Sequence, residues 1–161
     1  MNYSSIKSYA KINLALNVTG KTSGLHQIES IIGFVSLHDV ILIKKINSKK
    51  HIISFNGKYS KNIYKKNTIS ELLKILEKEK LLTGHRFEIK VKKHIPLKSG
   101  LGGGSMNAAN ILKYLIKKKF INPSKRQLIP ICKSIGSDVA LGLNSTFTVL
   151  KSNNRIKEFK N

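Results

Sequence analysis

Residues 95–109 read Ile-Pro-Leu-Lys-Ser-Gly-Leu-Gly-Gly-Gly-Ser-Met-Asn-Ala-Ala, and four of the chain's 11 glycines fall between Gly100 and Gly104. Glycine admits positive φ and lets backbone N–H groups approach a ligand closely. An amphipathic helical pattern follows at once, and a helix N-terminus adds unpaired donors and a partial positive charge. Together these features make a cradle for phosphate oxygens. A glycine run is also compatible with a flexible connector, but the well-marked helix start favours the phosphate reading. The run lacks the Gly-Lys-[Ser/Thr] ending of a Walker A loop, and neither the spacing nor a following acidic residue fits a dinucleotide fingerprint.

Two ionisable residues stand out. Asp138 is one of only two aspartates in the chain, the other being Asp39. A carboxylate of this kind can take the proton of a hydroxyl that attacks a phosphoryl group, or it can simply cap a turn or helix after Gly136. Lys11 lies inside an otherwise apolar strand pattern, which sets it apart from the many solvated lysines. Asp39 is read as structural.

The elements that must position these residues follow from periodicity. Ser4 to Thr19 alternates as a strand, with Ile12, Leu14 and Leu16 on one face, and Gly20 to Gly24 reads as a turn. Ile28 to Leu37, Val40 to Lys45 and His51 to Phe55 are predicted as further strands. Thr68-Ile69-Ser70-Glu71 fits a capping box, followed by a helical stripe of Ile69, Leu72, Leu73 and Leu76. Arg86 to Lys92 alternates through Phe87, Ile89 and Val91 and leads into the glycine loop. Ala108, Ile111, Leu112 and Leu115 mark a helix running to about Lys119. A second helix starts at Asn122-Pro123 with proline in its first position, is kinked by Pro130 and ends at Gly136. Thr146 to Leu150 and Arg155 to Phe159 suggest a closing hairpin around Asn153-Asn154. The pattern is α+β, with most strands before the glycine loop and two helices after it.

Composition bounds the function. A chain of 161 residues with 40% hydrophobic content suits one domain spanning 1–161 with a real core. The 30 Lys+Arg against 8 Asp+Glu give a formal charge of +22, which ordinarily suggests nucleic acid or an anionic membrane. The lysines are scattered, however, aromatics reach only 7%, and Lys, Ile and Asn share A/T-rich codons. The charge is therefore read as compositional bias with non-specific anion binding as a side effect, and neither a specific nucleic acid nor a membrane is expected as partner. Cys132 is the single cysteine, which excludes an internal disulfide, fits a reducing compartment and reads as a core residue. The five histidines are dispersed, so no protein-built metal centre is expected. The apolar run from Ile31 to Ile43 is interrupted by His38-Asp39 and is short of the ~20 residues that span a bilayer. No signal-peptide core is present, and a soluble cytoplasmic protein is expected.

The run Pro-x-x-x-Gly-Leu-Gly-Gly-Gly-Ser followed by Asn-Ala-Ala resembles the phosphate-binding motif of the GHMP kinases, the galactokinase, homoserine, mevalonate and phosphomevalonate kinase superfamily. Two further blocks, Ala10-Lys11-Ile12-Asn13-Leu14-Ala15-Leu16 with Gly24-Leu25-His26-Gln27, and Ile135-Gly136-Ser137-Asp138-Val139, are similar to one branch of it. That branch is the 4-diphosphocytidyl-2-C-methyl-D-erythritol kinases of non-mevalonate isoprenoid biosynthesis. The resemblance implies the GHMP kinase N-terminal fold, a mixed sheet with helices packed on one side that is also found in ribosomal proteins. It implies ATP-dependent phosphorylation of the 2-hydroxyl of a cytidine diphosphate-linked methylerythritol. Asp138 would be the general base, and Lys11 would lie beside it and lower the cost of forming alkoxide. ATP would be held by Pro96, Leu97, Lys98, Ser99, Gly100, Leu101, Gly102, Gly103, Gly104, Ser105 and Met106, with Lys93 and Asn67 lining the nucleotide pocket. Asn13 and His26 would contact the substrate, His26 at the cytosine edge. Mg2+ would accompany ATP, bound mostly by phosphate and water with the Ser105 hydroxyl nearby.

The chain departs from the family pattern at Met106, where a second serine is usual, and at Leu25, where an aromatic usually precedes the histidine. The resemblance also implies a C-terminal GHMP domain that is absent from the 161 residues. The expectation is weak or lost activity for a truncated chain unless a separate domain or subunit supplies that half. A homoserine- or mevalonate-type kinase and an inactive nucleotide- or RNA-binding remnant remain the alternative readings.

Overall fold

The computed structural model describes residues 2–22, 25–143, 148–150 and 156–158; for 21–22, 25–28, 148, 150 and 156–158 it describes the backbone path alone. Among these residues the order is β1 (Ser4–Thr22), β2 (Leu25–Ile46), β3 (Ile52–Asn56), α1 (Thr68–Lys78), β4 (Arg86–Lys92), α2 (Gly103–Lys117), α3 (Lys125–Ile135), α4 (Val139–Leu143), β5 (Thr148–Leu150) and β6 (Ile156–Glu158). The strands form one mixed sheet in the order β3-β4-β2-β5-β6, with β1 also paired to β2.

β2 is the spine of the sheet. β1 runs antiparallel along it from Ser4↔Ile43 to Thr22↔Leu25. β4 pairs with its later half and β5 with Ser30, Ile31 and Ile32, both antiparallel, whereas β3 lies parallel to β4. The alternation in β4 explains the layer structure. Phe87, Ile89 and Val91 are fully buried while the residues between them are only half-buried, so one face of β4 carries the apolar load. The helices cover that face: Ile69, Leu72, Leu73 and Leu76 of α1 and Ala108, Ile111, Leu112 and Leu115 of α2 join it in a single core.

Several local expectations are corrected. The strands expected at Ile28 to Leu37 and Val40 to Lys45 are one strand, β2. The ladder steps from Tyr9↔His38 to Ala10↔Val35, so Ser36 and Leu37 bulge out rather than end it. β1 continues to Thr22 instead of turning at Gly20. The N-cap of α1 is Asn67, one residue earlier than the expected box: its side chain accepts from the N–H groups of Ile69 and Ser70, and Ser70 returns the bond. Pro123 lies outside α3, whose N-cap is Ser124, and α3 continues through Pro130 to Ile135. α2 begins within the glycine run at Gly103, and a third helix, α4, follows Asp138. β5 and β6 pair antiparallel as the closing hairpin requires, but its Asn153-Asn154 turn lies outside the described residues. Cys132 is buried in α3, and burial pushes its thiol up to about 11, which removes it as a nucleophile at neutral pH.

Candidate active site

The glycine loop joins the end of β4 to the start of α2. Its path needs left-handed backbone at Lys98 (φ 55°), Gly100 (75°) and Gly102 (67°). Gly102 is the N-cap of α2 and offers no side-chain cap. The first helical bond runs from the N–H of Met106 to the carbonyl of Gly102 at 2.8 Å. The N–H groups of Gly103, Gly104 and Ser105 therefore have no acceptor within the helix and carry the positive end of its dipole. The N-terminus of α1 comes alongside, because the Thr68 hydroxyl donates to the Gly104 carbonyl at 2.8 Å. Between the two helix starts lies a cleft of about 500 Å³, lined by residues 96–100 and 102–105 of the loop but not by Leu101, by Asn67 and Thr68, and by Lys66, Lys93 and Asn107. Two dipoles and several cations converge on it, which is the electrostatic form of a polyanion site.

The loop is tied to β1. The Lys11 N–H donates to the Leu101 carbonyl at 3.0 Å. A Cβ on Gly102 would lie 2.8 Å from Lys11 Cγ, so only glycine permits this approach. The Lys11 ammonium, nearly buried, donates to Asn13 Oδ1 at 2.6 Å and lies 3.4 Å from Asp138 Oδ2. Asn13 in turn donates to the Ser30 hydroxyl at 2.6 Å, which is anchored on the Ala15 carbonyl. Asp138 occupies the turn between α3 and α4 and keeps 32% of its side-chain surface exposed, so an incoming group can reach it. Gly136 is close enough to α2 that a Cβ there would lie 3.5 Å from the Ser105 hydroxyl. Lys11, Asn13 and Asp138 do not line the cleft itself; they lie against its wall, Lys11 at Gly102 and the Asp138 turn near Ser105.

A second polar cluster lies beneath the loop and joins Asp39, expected to be structural, to Lys93, expected to line the nucleotide pocket. Asp39, fully buried, accepts through Oδ1 from the N–H groups of His94 (2.8 Å) and Ile95 (2.9 Å). Its Oδ2 accepts from the Lys93 ammonium and from Asn107 Nδ2 (2.9 Å). Lys93 therefore lines the cleft as an ion-paired cation rather than a free one. A Cβ on Gly103 would lie 3.2 Å from its Nζ. The only local signal for this cluster is an aspartate within an otherwise apolar run.

Of the other residues singled out from sequence, Asn67 lines the cleft as the α1 cap. Leu101 contributes its carbonyl to β1. The Met106 side chain points away from the cleft into the core, where Gly142 of α4 packs against it. His26 pairs with Lys21 in the β1–β2 ladder, and its side chain lies outside the described residues. Among the described residues, no group of three or more acidic, His or Cys side chains is arranged to hold a metal, so a divalent cation here would depend on ligand phosphates and water. No helix among them is long and apolar enough to cross a membrane.

Comparison with known proteins gives a consistent result. Residues 67–150 match the family described as GHMP kinases N terminal domain. Over all 161 residues the chain is 59% identical to a 4-diphosphocytidyl-2-C-methyl-D-erythritol kinase of Pelagibacter ubique and covers 57% of that protein. A kinase of the same name from Caldicellulosiruptor bescii is 39% identical over 83% of this chain, which covers 46% of it. The crystal structure of a 4-(cytidine 5'-diphospho)-2C-methyl-D-erythritol kinase superposes with a TM-score of 0.73 at 24% identity, over 97% of this chain and 55% of that one. A mevalonate kinase from Staphylococcus aureus superposes with a TM-score of 0.61 at 14% identity, over 99% and 56%. The two superpositions establish the fold, and the chain spans about half the length of the curated relatives it matches.

Proposed function

The chain belongs to the GHMP kinase N-terminal domain family, and from that premise we propose that it takes part in ATP-dependent phosphorylation of the 2-hydroxyl of 4-diphosphocytidyl-2-C-methyl-D-erythritol. The observation that carries the reading is the Lys11–Asp138 pair at 3.4 Å, set beside a loop whose free amides begin α2. The relative that is 59% identical across the whole chain supports this substrate class over the homoserine and mevalonate alternatives.

Each residue then has a physical task. The N–H groups of Gly103, Gly104 and Ser105 bind and orient the β- and γ-phosphates, with Lys98 at the cleft rim. The substrate oxygen attacks the γ-phosphorus, the bond to the β,γ-bridging oxygen breaks, and Asp138 accepts the hydroxyl proton. Lys11, held by Asn13, offers positive charge to the oxygen as that proton leaves. Mg2+ would supply charge neutralisation to the phosphates of ATP, and the Ser105 hydroxyl, on the cleft wall, would face its water shell. Asn13 and His26 are the residues assigned to the substrate.

The test is phosphoryl transfer from γ-labelled ATP to a panel of 4-diphosphocytidyl-2-C-methyl-D-erythritol, homoserine and mevalonate, alongside calorimetric titration with Mg-ATP. Transfer restricted to the cytidylated substrate supports the reading. Transfer to another alcohol instead overturns the substrate, and absence of nucleotide binding overturns the site.

A further inference from the structure

Asp39 itself has no part in the chemistry above, yet each of its bonds among the described residues ends on a segment that builds the cleft. Oδ1 holds the backbone of His94 and Ile95, the segment that enters the glycine loop. Oδ2 holds Asn107 in the first turns of α2, together with Lys93 beneath Gly103. The two oxygens of one carboxylate therefore clamp both ends of the loop, from the strand β2 that forms the centre of the sheet. An ion pair so deeply buried is a poor device for stability alone, since apolar side chains of similar volume generally serve as well. It is a good device for fixing geometry, because the carboxylate accepts four bonds from directions that no apolar group can discriminate.

We infer that Asp39 is a positioning residue for nucleotide binding: it fixes the first turn of α2 against the end of β4, so that the free amides of Gly103, Gly104 and Ser105 point at one place. This rests on the nucleotide reading of the cleft. Asp39 touches no phosphate; it acts through Asn107, Lys93 and the loop backbone.

Asp39→Asn tests one half of the clamp. The amide oxygen can still accept from the His94 and Ile95 N–H groups, while the amide nitrogen faces two donors, Lys93 Nζ and Asn107 Nδ2. The link to α2 is lost and the link to the segment after β4 survives. Asn107→Asp fails in the opposite way, setting two carboxylates against each other. In the double exchange Asp39→Asn/Asn107→Asp, the amide at 39 donates to the carboxylate at 107, which also faces Lys93, and the clamp is rebuilt with reversed polarity.

The measurement is Mg-ATP affinity by calorimetry on the full chain, at a temperature where circular dichroism shows each variant folded. Each single variant binds about tenfold or more weakly, and the double exchange recovers to within about threefold of wild type. A role in stability alone does not produce that recovery in a folded protein. Wild-type affinity in Asp39→Asn overturns the inference, as does a double exchange that binds no better than the singles. Where a single variant does not fold, the double exchange decides: it must both fold and bind. A folded wild-type chain that ignores Mg-ATP rejects the nucleotide reading itself, an outcome distinct from equal binding by wild type and Asp39→Asn.

Discussion

The Lys11 ammonium and the Asp138 carboxylate lie 3.4 Å apart although one belongs to β1 and the other to the turn before α4. Asn13, two residues along β1, steadies the Lys11 ammonium, but nothing local brings it to Asp138. The pairing is made by tertiary structure, through the Lys11 N–H on Leu101 and the packing of α4 on α2. Replacing Asp138 with Asn keeps its shape and removes its capacity to take a proton. Turnover is expected to fall by about 10²–10⁴-fold while Mg-ATP affinity stays within about twofold of wild type, as measured by transfer assay and calorimetry.

Gly100 and Gly102 separate strain from contact. Both have positive φ, but a Cβ at Gly100 meets open space while one at Gly102 strikes Lys11 Cγ at 2.8 Å. Gly100→Ala is expected to cost about 1–2 kcal/mol of stability from the left-handed backbone alone, with a smaller loss of turnover than at Gly102. Gly102→Ala adds displacement of Lys11 from Asn13 and Asp138. Turnover in that variant is expected to fall about tenfold or more beyond what Gly100→Ala loses, in a comparison of melting curves and initial rates.

Met106 stands where relatives are expected to carry a hydroxyl, yet its side chain is core. Its Sδ and Cε lie 3.0 and 3.1 Å from where a Cβ on Gly142 would be. Met106→Ser opens a cavity and buries a hydroxyl. A loss of about 2–5 kcal/mol in denaturant unfolding is expected, with no gain in Mg-ATP affinity.

A titrating group sits at the opposite end of β4. His51 accepts the Phe87 N–H on Nδ1 at 3.1 Å, and its ring stacks on Phe87. Burial lowers its pKa below the ordinary 6.5; Glu77 pulls the other way and Arg86 adds to the lowering. The unfolded chain therefore takes up this proton more readily than the folded one. The stability contributed by neutral His51 is present above the unfolded pKa and is lost as pH falls through the folded value. The melting temperature is expected to drop between about pH 7.5 and pH 5.5, and His51→Gln to flatten that slope.

Much of this arrangement was legible in the sequence wherever a local period carried it. β4 was read to the residue because Phe87, Ile89 and Val91 repeat every second position and all face the core. The α1 stripe was legible for the same reason, and the glycine run announced the start of α2 although the helix begins earlier than its apolar stripe. What escaped depends on distant partners. His38-Asp39 reads as a break in an apolar run, but Asp39 is satisfied by groups from the segment just after β4 and from α2, so the strand continues. α4 has five residues, too few to show a period. The closeness of Lys11 and Asp138 was implied by family resemblance; nothing in the spacing of residues 11 and 138 contains it.

A helix as short as α4 cannot hold itself together in water. It exists because Gly142 lets its backbone settle onto Ala109 so closely that a Cβ at that position would lie 2.6 Å from the alanine methyl. Asp138 is thus carried piggyback on the same helix whose first turn offers the amides. The turn that carries Asp138 and the glycine loop therefore rest on one support, and the seam at residue 142 is where that support is closed.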